Sequence, residues 1–336
     1  MTPQLLKFHS ETPVLMMPNA PSVLKNKRLD GTEMLFTPTR GDKVHISGIS
    51  RDYHLYIMAS RISSSFNTTA EWNAHHKKID CEIIFHTFPT ETIVKAEILF
   101  DGSSPYPIPS IIDVSCIKSV KPIQYDNLGY FVGLEFTYTD PNKESNSFFL
   151  NAGLMPFLKL INPPKFLTDF NIEYIGIACG PSGTRNVFQR ANAHEKAVEI
   201  QADIIQKKGN RSLYIFAYNP EFVVLNKRGP SITTSRDMIV SLVKGGANSI
   251  YEAMEASLIA YFQPEYNTEF KDFPSKRPHW LTGKINSFDG IVLNINEIEV
   301  KLVSDYSNII ASPWTFGQFS TAAQPARPEH IVNINV

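Results

Sequence analysis

The sequence is poor in cysteine, has no excess of either charge, and contains no long apolar run. Its three cysteines, Cys81, Cys116 and Cys179, are widely spaced. An odd count with no CxxC pair speaks against a disulfide framework and against a thiolate zinc site. It points instead to the reducing cytoplasm. The 32 Lys and Arg residues are balanced by 33 Asp and Glu, a formal net charge of −1. That balance excludes a protein that grips nucleic acid by bulk positive charge, but leaves room for chemistry at a small local site. No stretch approaches the roughly 18 apolar residues of a membrane span, and Met1 to Phe8 lacks a basic segment leading into an apolar one. Neither a signal peptide nor a transmembrane helix is expected.

The sequence does hold ample core-forming material: 43% of its 336 residues are hydrophobic, enough for two or three domains. Over the first 150 residues, β-branched and aromatic runs recur at Val44 to Ile49, Tyr53 to Ala59, Cys81 to Phe88, Ile93 to Phe100, Ile111 to Ile117 and Tyr130 to Tyr138. Pro, Gly, Asp and Asn punctuate them, a spacing that predicts a β sandwich or partly open barrel. Glu71 to Lys78 reads as one short helix. With 14 basic and 16 acidic residues, this region has no electrostatic footprint.

The pattern changes near Asn151. Phe157 to Ile161 reads as a strand ended by Pro163-Pro164, and Ile172 to Ala178 as a second. Thr184 to Lys208 reads as a long helix stopped by Lys207-Lys208-Gly209-Asn210, and Leu213 to Tyr218 as a third strand. Ser235 to Lys244 reads as a helix broken by Gly245-Gly246. Ser249, with Glu252 at capping-box spacing, opens a last helix that runs to about Phe262 and stops before Pro264. The expected order is β-β-α-β-α-α within residues 151–274, which carry 13 basic and 12 acidic residues. From residue 275, Ile291 to Ile295 and Glu299 to Val303 alternate like a hairpin, followed by an Ala-, Pro-, Thr- and Gln-rich tail. The expected fold is therefore α+β: a β-rich region over 1–150, a small three-stranded sheet with flanking helices over 151–274, and a short hairpin region over 275–336.

One ordered set of residues carries chemistry. The strand Glu173-Tyr174-Ile175-Gly176 is followed by a Gly-containing loop and a helix on which Arg190 and His194 lie four apart, on one face. Much later comes Glu255-Ala256-Ser257-Leu258-Ile259, then Pro264, Tyr266 and Asn267, the pattern E-x-x-L-I-x-x-x-x-P-x-Y-N. This set resembles the GIY-YIG endonuclease family over about residues 155–272. In that family a Tyr-[Ile/Val]-Gly strand leads to a helix carrying Arg with His or Tyr four residues on, and a distant helix carries Glu. The resemblance implies catalytic positions at Tyr174, Arg190, His194, Glu255 and Asn267, with Glu255 holding Mg²⁺ or Mn²⁺. It also implies nucleic acid as partner, DNA before RNA, with no membrane partner and homo-oligomerisation left open. Two departures stand out. No Gly-Ile-Tyr precedes Tyr174, since Phe157 to Asn162 occupies that place, so the family's first tyrosine is absent there. The loop from Gly176 to Arg190 is also long, with Ile177-Ala178-Cys179 where a basic residue is common.

The chemistry follows from the side chains themselves. Phosphodiester hydrolysis needs an activated water, stabilisation of charge in the transition state, and help for the leaving oxygen. One carboxylate suffices to anchor Mg²⁺, which keeps several waters and takes phosphate oxygens as ligands. Arg190 offers a planar fork matched to phosphate. Tyr174 or His194 is placed to contact the water. A free tyrosine ionises near pH ~10, so a basic role requires positive charge from Arg190 or the metal. Asn267 is suited to fix the Glu255 helix against the sheet.

Plainer readings compete. Tyr174 suits strand packing, Arg190 suits a pair with Glu195 or Glu199, and His194 and Glu255 suit ordinary helix positions. His75-His76-Lys77-Lys78 reads as a polar turn, Gly176-x-x-x-Gly180-x-x-Gly183 as a turn without the Walker lysine, and Lys207-Lys208 and Lys227-Arg228 as solvated ends or backbone contacts. Beside a structural or interaction protein that matches the motif by coincidence, with the β-rich region dominant, two functions remain. The first is a metal-dependent endonuclease, an arrangement that suits restriction or phage defence. The second is a catalytically inactive nuclease-like fold serving as a binding or assembly module.

Overall fold

The computed structural model describes residues 4–10, 14–16, 25–27, 33–35, 54–99, 116–124, 131–139, 143–151, 159–178, 187, 195–218, 220–226, 248–273, 290–295, 301–304 and 318–320. The strands over the first half of the chain are β1 (Gln4–Ser10), β2 (Val14–Met16), β3 (Lys25–Lys27), β4 (Glu33–Leu35), β5 (Leu55–Ile62), β6 (Ser64–Asn73), β7 (Lys78–Phe85), β8 (Thr92–Leu99), β9 (Ile117–Gln124), β10 (Phe131–Thr139) and β11 (Ser145–Asn151). Then follow β12 (Lys159–Leu160), β13 (Asp169–Ile177), β14 (Arg211–Tyr218), β15 (Pro220–Asn226), β16 (Gly290–Ile295), β17 (Lys301–Val303) and β18 (Gln318–Ser320). Among the described residues the helices are α1 (Lys165–Thr168), α2 (Glu195–Asp203), which continues into a π-helical turn over Ile204–Lys208, and α3 (Asn248–Phe262). The chain is α+β, with mixed sheets and few helices.

The described strands fall into four sheets. A seven-stranded sheet runs β11-β10-β6-β7-β8-β12, with β9 also paired to β10. A five-stranded sheet runs β17-β13-β5-β14-β2, a four-stranded one β15-β1-β16-β18, and β3 pairs with β4. Burial alternates strictly along β7, where Ile79, Cys81, Ile83 and Phe85 face the core, the period expected of a half-buried strand. By contrast β5 is buried on both faces. Its sequence, Leu55-Tyr56-Ile57-Met58-Ala59-Ser60-Arg61-Ile62, is nearly continuous in large side chains because it sits mid-sheet with packing above and below.

Strand β5 passes directly into β6 through Ser63, so one stretch of chain serves two sheets. The corner is fastened by three bonds. The Ser63 N–H donates to the Asn210 carbonyl at 2.7 Å, the His86 N–H donates to the Ser63 carbonyl at 3.0 Å, and the Ser63 and Ser212 hydroxyls lie 2.9 Å apart. One continuous core joins the two sheets and α3: Leu55, Ile57 and Ala59 of β5 share it with Ile83 and Phe85 of β7 and with Met254, Leu258 and Phe262 of α3. Each such large apolar side chain contributes about 1.5–3 kcal/mol on burial. A smaller cluster on the opposite face of β5 holds Tyr56 and Met58 against Ala197, Ile200 and Ile204 of the α2 segment, an i, i+3, i+7 stripe.

Several expectations are corrected. The sheet carrying Tyr174 has five strands rather than three, and its middle strand β5 comes from before residue 150, so this sheet is not contained within 151–274. Register across a sheet is set by long-range pairing, which local patterning does not reveal. Residues 71–73 end strand β6 instead of opening a helix; the following turn lets Lys78 pair back with Asn73. The two C-terminal strands do not form a hairpin: β16 pairs with β1 and β18, and β17 runs parallel to β13. Within the strand expected over Phe157 to Ile161, Lys159–Leu160 form a strand that pairs with β8, in the other large sheet, and residues 157 and 158 lie outside the described residues. Expected elements at Val44 to Ile49 and Ser235 to Lys244 lie outside the described residues. Among the described residues no helix is long and apolar enough to cross a membrane.

Candidate functional site

Strand β13 is antiparallel to β5, with Ile175 opposite Ile57 and Gly176 opposite Tyr56. A register shift between Ile172 and Tyr174 makes Glu173 an extra residue, a β-bulge. The bulge turns Glu173 and Tyr174 toward the face that also carries Tyr56, Met58 and Ser60. Tyr174 packs there half-buried, its ring centroid 6.0 Å from that of Tyr56, which is 1% exposed. Gly176 makes this closeness possible. A Cβ at that position would stand 2.5 Å from Tyr56 Oη, 2.6 Å from its Cζ and 2.8 Å from Tyr174 Cε1. Glycine is used here for the close approach of neighbouring side chains.

Asn267 seals the other side of β13. Among the described residues, strand β17 pairs with Asp169, Phe170 and Asn171 of β13. Further along β13 the Ile175 N–H donates to Asn267 Oδ1 at 2.9 Å and Asn267 Nδ2 donates to the Ile175 carbonyl at 2.9 Å. The Tyr266 N–H donates to the Glu173 carbonyl at 3.1 Å. A side-chain amide and one backbone amide thus pair with backbone groups of Glu173 and Ile175 as a strand would, satisfying groups that are costly to bury unpaired. The turn reaches this edge because α3 stops at Phe262, with Gln263 at φ 51° and Pro264 next.

Glu255 lies on α3, partly exposed between buried Met254 and Ala256. Tyr251, four residues earlier on the same helix face, places its ring 4.9 Å from that of His54. His54 stands two positions before Tyr56, and its carbonyl accepts a hydrogen bond from the Ala178 N–H at 2.7 Å. Tyr251 thus meets the residue just before β5, while the buried face of α3 packs on the side of β5 that carries Leu55, Ile57 and Ala59, opposite the side that carries Tyr56, Met58 and Tyr174. Arg190 and His194 lie outside the described residues. Among the described residues no group of three or more His, Cys, Asp and Glu side chains is placed to hold a metal ion.

A polar network absent from the sequence reading flanks the tyrosines. The Glu173 side chain is fully buried. Its Oε1 accepts from Ser60 Oγ at 2.5 Å, Lys208 Nζ at 3.1 Å and Asn171 Nδ2 at 3.2 Å, and its Oε2 from Lys208 Nζ at 2.9 Å. Arg211 Nε donates to Ser60 Oγ at 2.7 Å, and Lys208 also reaches Glu265 at 3.5 Å. Lys207 pairs with Asp203 at 2.5 Å. Tyr266 Oη donates to the same carboxylate at 3.1 Å. Lys207 and the Tyr266 hydroxyl hold the Asp203 carboxyl below its ordinary range, whereas burial, with that carboxylate next, pushes the Tyr266 phenol up. The π-helical turn spreads these two lysines toward separate carboxylates before the Gly209 N–H closes onto the Ile204 carbonyl at 3.0 Å. Lys207 and Lys208, which read as solvated ends, are thus ion-paired. His75 and His76 stack edge to face at 4.8 Å in an exposed turn.

Sequence reasoning missed Tyr56, Ser60, Glu173, Lys208 and Arg211. The signal for Tyr56 was its place in an uninterrupted apolar strand, but nothing local ties it to Tyr174; Ser60 and Glu173 are bonded across 113 positions. Compared with models of known protein families, with curated proteins and with solved structures, the chain matches none of them.

Proposed function

We propose that this chain is a metal-dependent endonuclease that hydrolyses nucleic-acid phosphodiester bonds, with its site on the Tyr56–Tyr174 face of the five-stranded sheet. The observation that carries this reading is the second tyrosine. The sequence lacks a first tyrosine in the strand before Tyr174, yet the strand hydrogen-bonded to Tyr174's own brings Tyr56 to 6.0 Å, with Gly176 between them. Three antiparallel strands, β13-β5-β14, with α2 packed on one face and α3 on the other, also suit the small nuclease sheet that the motif implies.

In this reading Tyr174, half-exposed, contacts the attacking water or phosphate, and buried Tyr56 orients it. Arg190 and His194 supply the phosphate fork and the second water contact. Asn267 fixes the turn after α3 to the Tyr174 strand through Ile175. Glu255, a partly exposed carboxylate on α3, is the residue that would hold Mg²⁺ or Mn²⁺, with water and phosphate oxygens completing the shell. When bound, the ion stabilises charge on the phosphate.

The test is cleavage of plasmid, linear duplex, single-stranded DNA and RNA with Mg²⁺ or Mn²⁺. Wild type should cut at least one substrate, Glu255→Ala should lose activity, and Tyr174→Phe, which removes the phenol that contacts the water, should slow cleavage by about 10²-fold or more. No metal-dependent cleavage of any substrate, or cleavage undiminished in Glu255→Ala, overturns the proposal. Binding without cleavage points to the binding-module reading.

A further inference from the structure

The guanidinium of Arg61 stands in the core between the two large sheets, with only 1% of the residue exposed. Its Cζ lies 5.3 Å from the ring centroid of Phe85 and 5.4 Å from that of Phe170. Nη2 reaches Ser64 Oγ at 3.5 Å, a long contact. Nε and Nη1 have no hydrogen-bond partner among the described residues. On the neighbouring strand, Arg61 is paired with Ser212 and Ala59 with Tyr214. The side chains of Arg61 and Tyr214 are therefore diagonal neighbours on one sheet face. Tyr214 is fully buried, its hydroxyl also has no partner among the described residues, and its ring meets the same Phe170 at 5.1 Å.

Buried guanidinium groups ordinarily face a carboxylate, because a charge taken out of water without a counter-charge costs several kcal/mol. The two rings offset part of that cost through their π faces, but they satisfy no N–H. Burial holds the Arg61 guanidinium below its ordinary range, Tyr214 acts in the opposite sense, and the Arg211 charge adds a smaller push in the same direction as burial. The arrangement offers N–H and O–H groups between aromatic walls. Such a lining suits a small, weakly hydrated anion better than a phosphate, which would lose far more hydration and need more donors.

We propose that Arg61 and Tyr214 form a buried binding site for one halide-sized monovalent anion, with chloride as the natural occupant. The site lies on the opposite face of β5 from the tyrosine pair and does not depend on the nuclease reading. The test uses the full chain. Urea unfolding midpoints are measured against rising sodium chloride or bromide, with ionic strength held constant by sodium gluconate, and again with sulfate in place of the halide. Crystals soaked in bromide are measured for anomalous scattering. Halide should raise the midpoint along a saturating curve that sulfate does not reproduce, and a bromide peak should lie within hydrogen-bond distance of the Arg61 guanidinium and Tyr214 Oη. Tyr214→Phe, which keeps the ring and removes one donor, should shift half-saturation about tenfold upward. Equal midpoints in halide and gluconate, an effect shared by sulfate, a bromide peak elsewhere only, or unchanged half-saturation in Tyr214→Phe would each overturn the site.

Discussion

Removing the Asn267 side chain isolates one link between α3 and the sheet. In Asn267→Ala, the Ile175 N–H and carbonyl lose both partners, each now at 2.9 Å, in a place where residue 267 is 7% exposed and Ile175 fully buried. A made hydrogen bond is worth only about 0.5–1.5 kcal/mol net, but a buried group left unmade costs about 1–3 kcal/mol. Two groups give roughly 2–6 kcal/mol, and the slight exposure at 267, which admits water, places the expected loss near the lower end. A chain with several sheets need not unfold in one step, so the sharper assay is local. Hydrogen exchange at the Ile175 amide should accelerate by about 10- to 100-fold, as 1.4–2.8 kcal/mol of lost protection requires. Asn267→Asp supplies a control. It keeps an acceptor for the N–H but sets a second carboxylate oxygen against the Ile175 carbonyl, a contact only its protonated form makes favourable. Its folded pKa is therefore raised above about 3.9. The variant should be most stable relative to wild type below that value and lose ground as pH rises through the folded pKa. Unchanged Ile175 exchange in Asn267→Ala, or a pH-independent penalty in Asn267→Asp, would refute the view that this amide stands in for a strand.

Gly176→Ala should destabilise by about 1–3 kcal/mol as an overpacked core site, because its Cβ would meet Tyr56 Oη at 2.5 Å; a urea midpoint equal to wild type would contradict the packing. Burial pushes the Cys81 thiol up to about 12, so at pH 8 only about one molecule in 10⁴ carries the thiolate; peptide mapping after alkylation should find Cys81 unlabelled until denaturant is added. Burial also pushes the Tyr261 phenol up to about 12, while an unfolded tyrosine ionises near 10. The folded state then holds its proton longer than the unfolded state, so stability present below pH 10 falls as pH rises toward 12. Urea titrations across that window should be shallower in pH for Tyr261→Phe, and an unchanged slope would refute the assignment.

How much of this was legible without coordinates depends on the range of the interaction. Strand identity was readable wherever burial follows a simple period. The runs Cys81 to Phe88, Ile93 to Phe100, Ile172 to Ala178 and Leu213 to Tyr218 all contain strands within a few residues of expectation, and α3 begins one residue before the expected Ser249. Glu71 to Lys78 failed because Trp72 and Ile79 belong to two strands joined by a turn, and a mixed polar stretch of that length fits a helix equally well. Pairing was not readable at all. The hairpin expected over 291–303 assumed that neighbouring strands pair, yet β16 and β17 enter different sheets.

The same limit decided what could be read of the candidate site. Tyr174, Glu255 and Asn267 stood out because each lies in a local pattern, and the structure describes all three. Tyr56 has no such pattern: it becomes relevant only when β5 is inserted between β13 and β14. That insertion accounts for the rest of the hidden network. A mid-sheet strand buried on both faces must match each polar side chain with a partner. On one face of β5, Ser60 meets that demand by donating to Glu173 and accepting from Arg211. Glu173 in turn draws Lys208 out of the π-helical turn. On the other face Arg61 leaves two nitrogens unmatched among the described residues. Two polar residues adjacent in sequence therefore face opposite sides of one strand with opposite outcomes. The matched side supports the tyrosine pair, and the unmatched side is where an external ion has work to do.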